Sequence, residues 1–301
     1  MRVLITAGTG MIGRALAREL SEKGHHVTVT SRDPGHARSF THKVQLIPWD
    51  ARSGDPLIPA VEASDAIVHL VGESIGSGLW TTAKKARILQ SRITSGQALT
   101  EAVAHARTKP QVVGQASAIG YYGPHDAAPL DEDAPPGTDW MARTAMQWEA
   151  STAGITNEET RRVVIRTGLV LSAGAGVLPK MMLPFKLFVG GPLGSGTQGV
   201  SWIHLDDLAS AIRFLIEHPD ARGPINLTAP APVSNAAFGH ALSAAMHRPY
   251  WLPAPAFAMR LVLGELSQLV LQGQFVIPRR LTSLGFAFRY PDLQTALADL
   301  L

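Results

Sequence analysis

ITAGTGMIGRAL, residues 5–16, joins an apolar run, RVLIT (2–6), to an amphipathic one, MIGRALARELSEKG (11–24), through three glycines spaced Gly8-x-Gly10-x-x-Gly13. Strand, glycine turn and helix in that order open a βαβ unit. The glycines let the backbone turn tightly and approach a pyrophosphate, and the helix N-terminus, with the amides of Met11 and Ile12, faces its negative charge. A glycine turn that only packs helix on strand would show the same letters. The context, at the start of a βαβ pattern, favours a dinucleotide.

Outward from this stretch the same texture continues. HVTVT (26–30), VQLIP (44–48), DAIVHLV (65–71), QVVGQAS (111–117) and RVVIRTGLVL (162–171) are further strand candidates, and TTAKKARILQSRITSGQALTEAVAHA (81–106) is a long helix. Apolar runs with little alternation suit strands buried on both faces, and helical crossovers make the sheet parallel. The expected fold is α/β, a doubly wound Rossmann-type parallel sheet with a small, mostly helical C-terminal domain. The boundary falls near residue 228: an NAD(P)-binding core over 1–228, and a domain over 229–301 that completes the substrate side with the glycine-rich loop GGPLGSGTQG (190–199). That loop either nests an anion, with Gln198 and Gln274 as neutral hydrogen-bonding groups, or is a bare surface loop. SWIHLDDLASAIRFLIE (201–217) predicts strand, turn and helix, with Asp206 or Asp207 as cap and His204 as a structural histidine. APAPVS (229–234) reads as a linker, and AFAMRLVLGELSQLVLQG (256–273), interrupted by Arg260, Glu265 and Gln268, as a buried helix rather than a membrane span.

Composition narrows the function. Among 301 residues 46% are hydrophobic and 17% charged, with a net charge of +3 and no cysteine. Lysine and arginine are scattered, which argues against nucleic acid. The lack of cysteine rules out disulfides, thiolate metal sites and a cysteine nucleophile, and His25 and His26 lack metal-ligand spacing. MRVLITAGTG is a strand and its turn rather than a signal peptide, so the expected location is cytoplasmic. The partners expected are a small-molecule substrate and, for assembly, a second copy in a homodimer, with neither nucleic acid nor membrane.

The second strand candidate ends Thr30-Ser31-Arg32. An NAD site of this kind places a carboxylate about 20 residues after the glycines, on the ribose 2′-hydroxyl. Here there is none, and Arg32, beside Ser31, is placed to pair with a 2′-phosphate, so NADP(H) is expected over NAD(H). Asp50, in IPWD (47–50), either approaches the adenine or is an ordinary loop aspartate. Lys84, Ile88 and Ser91 or Arg92 share one helical face, which either meets an anionic substrate or is simply solvated.

With ITAGTGMIG (5–13), QASAIGYYG (115–123), RTGLVL (166–171) and WIHLDDLASAI (202–212), the chain resembles the extended short-chain dehydrogenase/reductase superfamily of sugar-nucleotide epimerases, dehydratases and reductases. GGPLGSGTQGVSWIHLDDL (190–208), NLTAPAPVSNAAFGHAL (226–242) and LQGQFVIPRRLTSLGFAFRYPDLQTAL (271–297) narrow the resemblance to an atypical epimerase-like subgroup with a C-terminal domain of undefined role. The superfamily's first glycine would stand at Ala7. Its catalytic serine maps to Ser117, its helical asparagine near Arg92, and its Tyr-x-x-x-Lys onto Met141 and Ala145 in WMARTAMQWEAS (140–151). No such pair exists elsewhere: four residues after Tyr121, Tyr122, Tyr250 and Tyr290 stand His125, Asp126, Ala254 and Gln294. In the superfamily that lysine lowers the tyrosine pKa so the phenol can exchange a proton as hydride moves. The resemblance therefore implies an NADP(H)-binding oxidoreductase or epimerase-like protein whose acid comes from Ser117, Tyr121, Tyr122, Lys84 or the substrate. The alternative is a cofactor-sensing module without turnover on the same fold.

Overall fold

A computed structural model describes residues 1–36, 40–125, 128–156 and 159–301. In chain order its strands are β1 (Arg2–Thr6), β2 (His26–Ser31), β3 (Val44–Pro48), β4 (Ala66–His69), β5 (Val112–Ala118), β6 (Arg161–Thr167), β7 (Leu169–Leu171), β8 (Gly199–Val200), β9 (Trp202–His204), β10 (Gly223–Leu227) and β11 (Val233–Ser234). The helices that matter here are α1 (Met11–Glu22), α2 (Ile58–Glu62), α3 (Thr82–His105), α4 (Trp140–Ala150), α5 (Leu178–Lys186), α6 (Leu205–Glu217), α7 (Asn235–Met246), α8 (Ala256–Leu263), α9 (Gln268–Leu271), α10 (Arg279–Ser283) and α11 (Leu293–Leu300).

Seven strands form one sheet in the order β10-β6-β5-β4-β1-β2-β3, and every pairing is parallel. Strand side chains alternate between faces. Val3 and Ile5 therefore enter one core with Leu16 and Leu20 of α1 and Leu208 and Ile212 of α6. Leu4 and Ile67 enter the opposite core with Val61 of α2 and Leu99 and Val103 of α3. Helices on both faces make this the doubly wound α/β arrangement. Chain direction across the sheet reverses between β1 and β4, and ligands of such folds bind in the crevice outside the carboxyl ends of the strands at that point.

Several local expectations give way to the structure. RVVIRTGLVL (162–171) is not one strand: it breaks at Gly168, and β7 leaves the main sheet to pair with β9. A Cβ at Gly168 would lie 2.6 Å from the Ser201 carbonyl oxygen, so the break lets two backbones pass in contact. The cap of α6 is His204, whose Nδ1 accepts from the Asp206 amide at 3.1 Å, while Asp207 accepts from the amides of Arg289 and Tyr290. APAPVS is not a loose linker, since β11 at its end pairs antiparallel with β8. The apolar segment 256–273 turns at Gly264 (φ +55°) and splits into α8 and α9, and α8 buries no residue. Phe257 and Leu261 are 73% and 85% exposed, so among the described residues no element packs over the outer face of this largely apolar segment. Among the described residues no helix is long and apolar enough to cross a membrane.

The chain after residue 228 shares its packing with what precedes it. Leu281 lies in the first core, with Leu284, Phe286 and Phe288 against it. Trp202 of β9 packs with Phe238 of α7 and Leu293 and Leu297 of α11. Residues 273–277 run back past His125 and Leu130, with His125 donating to the Gly273 carbonyl and Leu130 to that of Phe275.

His69 closes β4 inside the core, its Nδ1 2.8 Å from Thr6 Oγ1 and its Nε2 3.2 Å from Ser95 Oγ. Burial pushes its pKa from 6.5 down to about 3. A depressed histidine is neutral in the folded state and charges readily in the unfolded one. Its contribution is thus complete above pH 6.5 and is lost as pH falls toward 3. In that window stability should fall by about 1.4 kcal/mol per pH unit from this group alone. Urea denaturation of wild type and His69→Gln between pH 6.5 and 4 should show the variant with a slope shallower by one proton, and parallel curves would refute the assignment.

Candidate functional site

The glycine turn after β1 assigns different duties to its three glycines. A Cβ at Gly13 would sit 2.4 Å from Gly8 Cα, and one at Gly8 would sit 2.9 Å from Val29 Cγ1. Both are glycines because the protein itself fills the space. A Cβ at Gly10 would meet nothing nearer than the Ala7 carbonyl at 4.0 Å. Its bare backbone therefore faces open space at the head of α1. No side chain caps that helix and no acidic residue stands in its first turn, so the Met11 and Ile12 end keeps its positive field. Ala7, where the family pattern has glycine, adopts φ +53°, a left-handed conformation that costs an alanine about 1 kcal/mol, and its amide donates to Thr30 Oγ1 at 3.0 Å.

At the tip of β2, Ser31 Oγ accepts from the Asp33 amide at 3.2 Å. Arg32 is exposed, and its side chain makes no hydrogen bond or ion pair among the described residues. Asp50 is exposed after β3, where Oδ1 accepts from the Arg52 amide at 2.9 Å in a local turn.

Beyond the ends of β5 and β6 lies a cavity of about 310 Å³. Met141, Ala145 and Trp148 of α4 form one wall, Ala118, Ile119 and Thr167 the floor, and Leu193, Leu269 and Gln274 the side supplied by the 190–199 loop and the C-terminal region. The helical stripe of Met141, Ala145 and Trp148 is thus a cavity wall as well as packing. Several of the polar neighbours are committed. Gln198 Nε2 donates to the Leu193 and Val270 carbonyls, Gln274 Nε2 to that of Ile119, and Thr144 Oγ1 to that of Trp140.

None of Ser117, Tyr121, Tyr122 and Lys84 is among the residues that line this cavity. Ser117 Oγ donates to Glu149 Oε1 at 2.7 Å, and Glu149 holds Arg166 with two bonds of 2.9 Å. Arg166 is 3% exposed and its guanidinium lies 3.4 Å from the centre of the Tyr121 ring. Burial opposes its charge, but Glu149 more than offsets this and holds its pKa above the ordinary arginine value. Arg166 Nη1 also donates to the Tyr122 hydroxyl, which donates to Asn226 Oδ1 at 2.7 Å. Burial raises the pKa of that phenol, against the lowering influence of Arg166. Lys84 is buried against Glu73 Oε1 at 2.6 Å and Ser77 Oγ at 3.1 Å.

Glu149 has no role in the sequence reading, and Arg92 has only the alternatives of meeting an anionic substrate or being solvated. Glu149 organises Ser117 and Arg166, and only the spacing of Ser117, Glu149 and Arg166 around adjacent strand ends reveals it. Arg92, buried on α3, lines the cavity and stacks on Trp148 at 4.6 Å. Its place on the Lys84–Ile88 face was visible in the helical spacing, but its burial was not.

The sequence model of the NAD dependent epimerase/dehydratase family matches residues 3–227, and that of a domain of unknown function, DUF1731, matches 254–300. The chain is 39% identical over 304 residues to the epimerase family protein SERP0438 of Staphylococcus epidermidis, covering 100% of this chain and 99% of that one. It is 38% identical to the mouse epimerase family protein SDR39U1, with 99% of each covered. The crystal structure of human SDR39U1 (isoform 2) with NADPH superposes with a TM-score of 0.90 at 36% identity, covering 100% of this chain and 99% of that one.

Removing Glu149 would leave Arg166 charged and unpaired in the interior, at a cost of about 3–5 kcal/mol. Ser117→Ala removes one hydrogen bond and should cost about 1 kcal/mol. Urea unfolding of Glu149→Ala and Ser117→Ala should reproduce that order. Equal effects would show that Glu149 and Arg166 are not a structural pair.

Proposed function

Because the chain belongs to the NAD dependent epimerase/dehydratase family, we propose that it binds NADP(H) and acts as an oxidoreductase or epimerase-like enzyme with an altered active site on a small substrate. The observation that carries the cofactor reading is Gly10, whose missing Cβ leaves open space at the uncapped head of α1. The NADPH reported with human SDR39U1 supports the same reading. The residues present fit the group. The amides of Gly10, Met11 and Ile12 take the pyrophosphate, Arg32 with Ser31 takes the 2′-phosphate, and Asp50 stands on the adenine side.

The bound nicotinamide supplies or accepts hydride, and the protein supplies position, electrostatics and protons. Met141 and Ala145 exchange no proton, so the tyrosine-assisted carbonyl reduction of the wider superfamily is absent. In this reading Ser117, Tyr121 and Tyr122 are positioning residues. Through Glu149 and Arg166 they fix the ends of β5 and β6 beneath the cavity, while Lys84 fixes the loop at Glu73. The proton exchanged at the substrate comes from the substrate itself or from water. A second reading, a cofactor-sensing module without turnover, draws on one observation: Ser117 is already bonded to Glu149 and is not part of the cavity wall.

Fluorescence titration with NADPH and NADH tests the cofactor assignment. Wild type should prefer NADPH. Arg32→Ala should weaken NADPH by about tenfold or more, the worth of a charge-assisted contact, and leave NADH unchanged. Gly10→Ala should stay folded yet weaken both nucleotides. Equal affinity of wild type for the two would remove Arg32 from the site.

A further inference from the structure

The cavity beside Met141 has a wall chemistry that restricts its ligand. Ile88, Trp140, Met141, Trp148, Leu169 and Leu269 give it an apolar lining. Of its neutral polar neighbours, Gln198, Gln274 and Thr144 spend their donors on backbone carbonyls, and Thr167, Asn235, Gln268 and Gln272 add uncharged polar groups to the lining. Ser201 Oγ donates to the Gln274 carbonyl and accepts from the Val276 amide. A ligand carrying two phosphates would lose its hydration here and meet a single cationic side chain, Arg92, among the lining residues.

Arg92 is the charged side chain in this lining. Its Nη1 donates to the Glu73 and Ile88 carbonyls, while Nε and Nη2 find no acceptor among the described residues. The nearest carboxylate, on Glu73, is held by Lys84 and Arg87 instead. Beneath the guanidinium, the Nε1–H of Trp148 is buried without a partner among the described residues. Arg92 thus brings a positive charge, with Nε and Nη2 donors unpaired among the described residues, to a cavity whose other lining side chains are uncharged. The Nε/Nη2 edge of a guanidinium matches the two oxygens of a carboxylate. Burial also lowers the Arg92 pKa to about 10, with Glu73 opposing, so it stays cationic at neutral pH but lacks a full counter-charge.

We propose that, within the NADP(H)-binding reading above, this cavity takes a compact apolar carboxylate rather than a sugar nucleotide. Its carboxylate lies on Arg92 Nε and Nη2, and its body lies against Trp140, Met141 and Leu269. At about 310 Å³ the space is at the small end for ligand sites, roughly 300–1,000 Å³, which suits a single ring or a branched chain.

Phenylacetate serves as the probe for the class and UDP-glucose as the competitor, each titrated calorimetrically onto the full chain with and without saturating NADPH. Phenylacetate should bind at one site per chain. Arg92→Gln should weaken it by about tenfold to a hundredfold, since the lost bonds are charge-assisted. Ala145→Phe fills the cavity from the α4 side while leaving Arg92 in place, and it should abolish phenylacetate binding. Far-UV circular dichroism should match wild type in both variants. UDP-glucose binding as tightly as phenylacetate, no phenylacetate binding at all, or unchanged phenylacetate affinity in either folded variant would overturn the proposal. NADPH fluorescence separates the two readings: if wild type binds phenylacetate in an Arg92-dependent way but does not bind NADPH, the cofactor reading falls and the carboxylate site stands.

Discussion

The contact between Gly13 and Gly8 sets the geometry on which everything else depends. Because neither residue has a Cβ, the first turn of α1 lies on the loop that leaves β1, at a distance any side chain would forbid. That closeness fixes the helix head at the carboxyl edge of the sheet, beside the reversal of strand order between β1 and β4. It also leaves Gly10 as the exposed backbone of the turn. Packing and ligand approach are therefore divided among three residues of one type, and the first determines where the second can happen.

A second constraint lies deeper. The Glu149–Arg166 pair joins α4 to β6, reaches β5 through Ser117 and β10 through Tyr122 and Asn226. Glu132, buried and accepting from the amides of Asn226 and Arg280, ties the same edge to α10. These bonds hold the floor and one wall of the cavity rigid. On the proposed reading, an apolar wall where a phenol and an amine would otherwise project changes what the site selects, from groups that need proton transfer to shapes that fit.

The sheet was legible in the sequence because strands buried on both faces must be continuous apolar runs, and Val3, Leu4 and Ile5 satisfy two cores at once. The glycine turn was legible because its spacing follows from backbone sterics alone. Elsewhere the local pattern was ambiguous. Gly168 sits in an unbroken strand-like run, and only the approach of Ser201, more than thirty residues away, explains the break. Phe257 and Leu261 read as buried because apolar residues normally are, and no local signal shows that among the described residues they stand exposed. The site divided in the same way. As proposed cofactor contacts, Arg32 and Gly10 follow from spacing along one βαβ unit, whereas the bonds of Ser117 to Glu149 and the burial of Arg92 against Trp148 join elements that are distant in the chain. Tertiary partners decide whether a serine faces substrate or a carboxylate.

A crystal structure of the full chain with NADPH bound tests the central claim most directly, that this fold holds the cofactor beside a wall without a proton donor. The account predicts the 2′-phosphate on Arg32, the pyrophosphate over Gly10, and the nicotinamide at the cavity with Met141 and Ala145 across from it. No tyrosine hydroxyl or lysine amine should lie within hydrogen-bond reach, about 2.6–3.2 Å, of the nicotinamide ribose. A Tyr121 or Tyr122 hydroxyl or the Lys84 amine on that ribose, or a cofactor lying away from Gly10, would contradict it.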